Sequence, residues 1–204
     1  MKVINNEIKA VNGVKIPQVG FGVYKLTKGE DFETAVGEAI RVGYRHFDTA
    51  KIYGNEEKLG LEILKSRIPR EEFFIASKVW NTDLGYKATK KAFELTCKKL
   101  NVKYLDMYLI HFAAPNYMES WRAMEDLYLE GKIKIIGVAN FEIQHLEKLI
   151  KHSNISPMIN QIETHPEFPQ NELHDYLIKH KILHEAWAPL GQGNKMLLEK
   201  PELK

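Results

Sequence analysis

The sequence predicts an α/β fold: a (β/α)₈ TIM barrel with a small N-terminal β-hairpin, of which about seven strands are present. Three observations carry this expectation. Short apolar runs alternate with helical stretches along the whole chain, their centres spaced roughly 24–31 residues apart. Several runs are apolar without alternation, the pattern of parallel strands covered on both faces. The segment Gly20-Phe21-Gly22-Val23-Tyr24-Lys25 after the first run lacks the third glycine that a dinucleotide-binding open sheet carries there. Seven near-uniform units therefore favour the barrel.

The elements follow in order. A hairpin turning at Asn12-Gly13 precedes the first run and covers one end. The first run is Val19 to Val23, followed by an amphipathic helix from Gly29 to Val42 with Phe32, Val36, Ala39 and Ile40 at helical spacing. Tyr44 to Asp48 is the second run. Asn55 stands as N-cap of the next helix, with Glu56 and Glu57 in its first turn. Phe73 to Val79 is the third run and Lys87 to Leu100 its helix. Tyr104 to His111, the most apolar, leads to a helix over Met118 to Glu130 that Gly131 stops. Ile133 to Ala139, Met158 to Ile162 and Ile182 to Ala188 complete the strands, with helices ending near Lys151 and spanning Asn171 to His180.

Composition narrows the function classes. No linker, charge block or low-complexity stretch divides the 204 residues, so residues 1–204 read as a single domain. A net charge of +2 leaves no electrostatic footprint for nucleic acid or an anionic membrane. One cysteine excludes an internal disulfide framework and a multi-cysteine metal cluster; no metal is expected. No apolar run approaches the ~18 residues of a membrane span, and MKVINNEIKA lacks the apolar core of a signal peptide. A cytoplasmic protein is the expectation.

Chemistry collects at the C-terminal ends of the strands, where such barrels place their active sites. Asp48 ends the second strand, with Tyr53 in the following loop; Lys78 is near the end of the third, His111 ends the fourth, Asn140 follows the fifth, Gln161 lies in the sixth and Trp187 in the seventh. A phenol with a pKa of about 10 is a reluctant acid near neutrality, and a neighbouring lysine ammonium is expected to bring it toward the working range. Asp48 would keep that lysine charged, and His111 would orient a substrate oxygen. The set suits protonation of a carbonyl oxygen but supplies no hydride, so a cofactor is required.

These segments resemble the aldo-keto reductase family over nearly the whole chain. The carriers are Asp48-Thr-Ala-Lys-Ile-Tyr53-Gly-Asn-Glu56, Ser77-Lys78-Val-Trp80, Tyr108-Leu-Ile-His111, Gly131 to Phe141, and Asn160-Gln161-Ile-Glu-Thr-His165-Pro166. The resemblance implies NADPH-dependent reduction of aldehydes or ketones, with NADH as the alternative cofactor. It implies a catalytic tetrad of Asp48, Tyr53, Lys78 and His111. Asn140 and Gln161 would hold the nicotinamide carboxamide and Trp187 would stack on the ring. Gly22, Val23, Tyr24, Asp48, Leu190 and Gly191 join the cofactor contacts, and Tyr24, Trp80, His111 and Phe112 the substrate contacts. A small-molecule carbonyl compound is the expected partner, with a monomer implied by the family and self-association favoured by exposed barrel edges.

The chain also departs from the family pattern. Ala139 and Ala188 stand where serines are usual, Phe112-Ala113-Ala114 where Trp-Pro is usual, and Tyr24 where tryptophan is common. Each lost hydroxyl costs about 0.5–1.5 kcal/mol of cofactor affinity. Leu190-Gly191-Gln192-Gly193 reads as a pyrophosphate loop. Pro201-Glu202 signals a helix start, and Lys204 is reached before an eighth β/α unit, leaving roughly 50–80 of the ~250 residues of such a barrel unaccounted for. The rival expectations are a truncated, non-catalytic derivative, and a proton-transfer isomerase using His111 and Glu163.

Overall fold

The structure is a computed structural model and describes residues 6–26, 29–193 and 199–200. The helix start expected at Pro201-Glu202 lies outside the described residues. β1 (Glu7–Lys9) and β2 (Lys15–Pro17) form the antiparallel hairpin. Seven strands make a parallel sheet in chain order: β3 (Gly20–Gly22), β4 (His46–Asp48), β5 (Phe74–Val79), β6 (Leu105–Ile110), β7 (Ile133–Ala139), β8 (Ile159–Glu163) and β9 (Leu183–Trp187). The helices between them are α1 (Gly29–Val42), α2 (Glu56–Lys65), α3 (Tyr86–Leu100), α4 (Tyr117–Leu129), α5 (Ile143–His152) and α6 (Asn171–Lys179). Among the described residues no helix is long and apolar enough to cross a membrane.

The sheet is curled. β4 and β8 are four strands apart, which in a flat sheet separates them by roughly 19 Å. Yet Gln161 Nε2 lies 3.1 Å from Asp48 Oδ2, so the two meet across an interior. Beyond the edge strands, Lys25 Nζ reaches Gln192 Oε1 at 2.9 Å and brings the following loops together. This is the curvature of a (β/α)₈ barrel wall. β5 and β6 are buried along their whole length, as continuous apolar runs require. Phe32, Val36, Ala39 and Ile40 of α1 all face the core.

The hairpin seals the end opposite the strand C-termini. Asn12 Nδ2 donates to the Lys134 carbonyl (2.9 Å) at the start of β7, and Ala10 and Ile16 are buried beneath it. His46 Nδ1 lies 3.2 Å from the Pro17 carbonyl. That oxygen only accepts, so Nδ1 carries the proton.

Two local expectations are corrected. The second strand starts at His46 and not at Tyr44, because Tyr44 N bonds the Ala39 carbonyl and the Arg45 guanidinium bonds the carbonyls of Ile40 and Tyr44. Tyr44 thus finishes α1, while the Arg45 carbonyl accepts from Phe74 N (2.8 Å) at the edge of the strand. Asn55 precedes α2, but its side chain makes no capping bond. It accepts from Thr49 Oγ1 (2.8 Å) and donates to the carbonyls of Val23 (2.9 Å) and Leu26 (3.3 Å), tying two strand-end loops together.

Close packing of β7 on β8 depends on Gly137. A Cβ there would lie 2.3 Å from Ile159 Cγ2 and 2.6 Å from the Ile159 carbonyl oxygen, which is fixed in the sheet. Gly137→Ala is expected to cost about 1–3 kcal/mol, lowering the thermal midpoint by about 2–12 °C. A melt followed by circular dichroism checks this; an unchanged midpoint contradicts the packing argument.

Candidate functional site

The strand C-termini converge on a buried ion pair. Lys78, near the end of β5, is 1% exposed, and its Nζ lies 2.5 Å from Asp48 Oδ1 and 3.1 Å from the Thr49 carbonyl. Burial opposes the lysine's charge, but Asp48, Tyr53 and Glu185 together hold its pKa above the ordinary value. Tyr53 closes a single 3₁₀ turn (Lys51–Tyr53) that ends on Gly54 in the left-handed region (φ 68°). An ion pair between Lys51 and Asp83 fixes that turn against the loop after β5.

Lys78 Nζ sits 5.3 Å from the Tyr53 ring centroid. Burial pushes the phenol above its ordinary pKa, and the Lys78 charge pulls against it without prevailing. Contrary to the expectation from the sequence, the lysine does not bring the phenol toward neutrality, because desolvation is the larger effect.

His111 completes the cluster. It is buried, its ring centroid is 5.9 Å from that of Tyr53, and its Nδ1 has no hydrogen-bond partner. Burial first, and the Lys78 charge second, press its pKa down to about 4. The imidazole is therefore neutral at neutral pH. Trp80 meets it edge to face at 5.1 Å and Phe112 stacks on it at 5.0 Å, while the half-exposed Tyr24 ring lies 4.9 Å from Tyr53. These rings form an aromatic wall beside the phenol.

The amides stand on the other side. Asn140 adopts the left-handed conformation (φ 58°), which asparagine tolerates. Its Nδ2 donates to the His111 carbonyl (3.0 Å), and its Oδ1 accepts from Trp187 Nε1 (2.9 Å). One N–H and one lone pair of that amide remain. Gln161 Nε2 donates both to Asp48 Oδ2 and, at 2.7 Å, to Glu185 Oε1.

The comparisons with known proteins agree with this geometry. Residues 18–200 match the model of the Aldo/keto reductase family. The chain belongs to the aldo/keto reductase family. It is 49% identical over 191 residues to a Bacillus subtilis glyoxal reductase, covering 93% of this chain and 69% of that one. The crystal structure of an aldo/keto reductase from Brucella melitensis superposes with a TM-score of 0.91 at 47% identity, over 97% of this chain and 76% of that one. A Bombyx mori aldo-keto reductase in complex with NADP superposes with a TM-score of 0.86 at 33% identity, over 92% and 67%.

Most residues singled out in this aldo/keto reductase from its sequence line one mouth. Gly22 pairs with Asp48 across β3 and β4, and a Cβ there would meet open space. Leu190 is exposed beyond β9. Val23 is the exception: it is wholly buried, its N–H donates to the Asp48 carbonyl, and its own carbonyl accepts from Asn55. It builds the wall and offers a ligand nothing. The Gly191 N–H is turned onto the Ala188 carbonyl (2.8 Å), so this amide does not face outward as expected of a phosphate loop. Glu163 sits beside His165 (3.6 Å).

Sequence reasoning missed Glu185. It lies two residues before Trp187, hence on the same face of β9, and that spacing was the available signal. Burial raises its carboxyl above the ordinary pKa; His46 pulls it down, Asp48 adds to the rise, and Gln161 and Lys78 oppose it.

The depressed His111 pKa carries a linkage consequence. Unfolded, this imidazole takes up a proton near pH 6.5; folded, it does so only near 4. The unfolded state thus binds more protons in that window, and stability falls as pH drops through it, by about 2–4 kcal/mol for this group. Urea unfolding between pH 7 and 4.5 is expected to show a shallower loss for His111→Gln than for the parent. Parallel curves contradict the assignment.

Proposed function

We propose that this chain reduces small aldehydes and ketones with NADPH, with Tyr53 as general acid. The observation that supports it most is the placing of a half-buried phenol between a buried, Asp48-paired ammonium and a neutral imidazole. The glyoxal reductase relative supports a small carbonyl substrate, and the NADP complex of the Bombyx mori relative supports the cofactor. Cys97, free and buried, suits a cytoplasmic setting.

The residues fit a nicotinamide on donor and acceptor grounds. Asn140 retains an N–H, and Gln161, with its nitrogen committed to two carboxyls, retains its oxygen. A primary carboxamide needs one donor facing its oxygen and one acceptor facing its nitrogen, and the pair supplies both. Trp187, anchored through Nε1, offers a half-buried ring beside them. When bound, the nicotinamide supplies the hydride.

The chain's residues manage the proton. Burial keeps Tyr53 in its phenol form, ready to donate to a carbonyl oxygen at the mouth. The charge left on the Tyr53 oxygen after transfer is met by the Lys78 ammonium, which Asp48 holds in place. His111, neutral, donates one N–H to the same substrate oxygen and orients it. Trp80, Phe112 and Tyr24 exclude water from one side and favour compact apolar substituents. The assembled cluster and the reductase relatives favour turnover over the non-catalytic reading.

NADPH oxidation followed with glyoxal and 4-nitrobenzaldehyde tests this. Tyr53→Phe is expected to lower kcat by about 10²–10⁴-fold, the range of a lost general acid. A parent without turnover, or a phenylalanine variant as fast as the parent, overturns the proposal.

A further inference from the structure

Glu185 serves no role in the steps above, yet it is placed inside the barrel at the same level as the reacting groups. It pairs in register with Gln161 across β8 and β9, and its Oε1 makes the shorter of the two bonds to Gln161 Nε2, 2.7 Å against 3.1 Å for Asp48. Gln161 is 4% exposed, so water gives its amide little competition for partners.

The chemistry of the partners settles which end of the amide faces them. The Asp48 carboxylate, paired with the Lys78 ammonium, only accepts, so the Gln161 nitrogen faces it, and that same nitrogen is the atom 2.7 Å from Glu185 Oε1. With the nitrogen on that side, both its hydrogens are consumed. The only polar atom left to a ligand is the oxygen, Oε1. One carboxylate alone would leave the second N–H free to pivot; two carboxyls from opposite walls, β4 and β9, fix the plane.

We infer that Glu185 is a positioning residue: with Asp48 it clamps the Gln161 amide so that Gln161 shows a ligand an acceptor and never a donor, which selects a primary carboxamide over a carboxylate on the cofactor ring. The inference rests on the cofactor reading above. Asn140, with one N–H and one lone pair open, can serve either group. Discrimination between the amide and the acid therefore falls on Gln161, and its direction on Glu185.

The test compares Glu185→Ala, Glu185→Leu and Glu185→Gln with the parent, each checked for a cooperative melt. The first two remove the acceptor, and the leucine fills the volume; the third keeps an acceptor oxygen and removes the charge. The first readout needs no cofactor. The Gln161 side-chain NH₂ resonances in a ¹⁵N correlation spectrum are expected to be slow-exchanging in the parent and in Glu185→Gln, and to lose that protection in the apolar variants. The second is the dissociation constant for NADPH and for its nicotinic acid analogue, read by tryptophan quenching.

The apolar variants are expected to weaken NADPH by about fivefold or more, the size of one lost hydrogen bond, and to narrow its advantage over the acid analogue. Glu185→Gln is expected to stay close to the parent on both counts. Unchanged Gln161 protection in a folded apolar variant overturns the inference, as does a Glu185→Gln variant impaired as much as Glu185→Ala, which would assign the effect to charge. A parent that binds no NADPH while Gln161 protection responds as expected overturns the cofactor reading and, with it, the selection, but leaves the clamp standing.

Discussion

The buried pair of Asp48 and Lys78 is the constraint around which the rest of the mouth is arranged. A lysine 1% exposed is tolerable only with its charge matched. Here the match comes from a neighbouring strand at 2.5 Å, with the Thr49 carbonyl accepting a second hydrogen bond from the ammonium. Removing either partner strands the other in a low-dielectric interior, a loss of about 3–5 kcal/mol. The supporting contacts follow from this. Thr49 and Asn55 lock the loop after β4, the Val23 N–H holds the Asp48 carbonyl, and Gln161 takes the second carboxylate oxygen.

The curl of the sheet gives the same pair its reach. Strand alternation puts His46 with Asp48, and Glu185 with Trp187, on inward faces. Only the curl of the wall brings a β4 side chain within hydrogen-bonding distance of one on β8. The polar groups then form a connected series through the interior, from Glu185 through Gln161 and Asp48 to Lys78. Connection matters in such a place, since a half-satisfied buried network is worse than an apolar one. His46 Nε2 and His111 Nδ1 have no hydrogen-bond partner and stand outside that series.

Much of this was legible in the chain. Strand order, the helix stop at Gly131 and the residues at the strand ends follow from periodicity and from the habit of barrels to gather chemistry at one end. What resisted reading depends on distances between elements. Asn55 has the sequence context of a cap, but local pattern cannot show that Thr49 in its own loop and two carbonyls on the loop after β3 hold it instead. Val23 sits beside Gly22 in a stretch that reads as one surface, but it lies just past the strand end with its side chain wholly buried. Glu185, flanked by His184 and Ala186, carries no motif at all; its meaning comes from Gln161, 24 residues away.

The balance at Tyr53 shows why such distances decide chemistry. An ammonium 5.3 Å from the ring favours the phenolate, and the same enclosure that excludes water from the pair disfavours it. Burial is the larger effect, so the resting site holds a protonated acid beside a fixed positive charge. For the proton donor proposed above, that is the more useful state. A phenol already ionised has nothing to give, whereas a phenol whose conjugate base is stabilised only where Lys78 stands releases its proton when an acceptor arrives. The Asp48 carboxylate therefore acts twice: it keeps Lys78 charged through burial, and by adding its own negative field it restrains Tyr53 from ionising early.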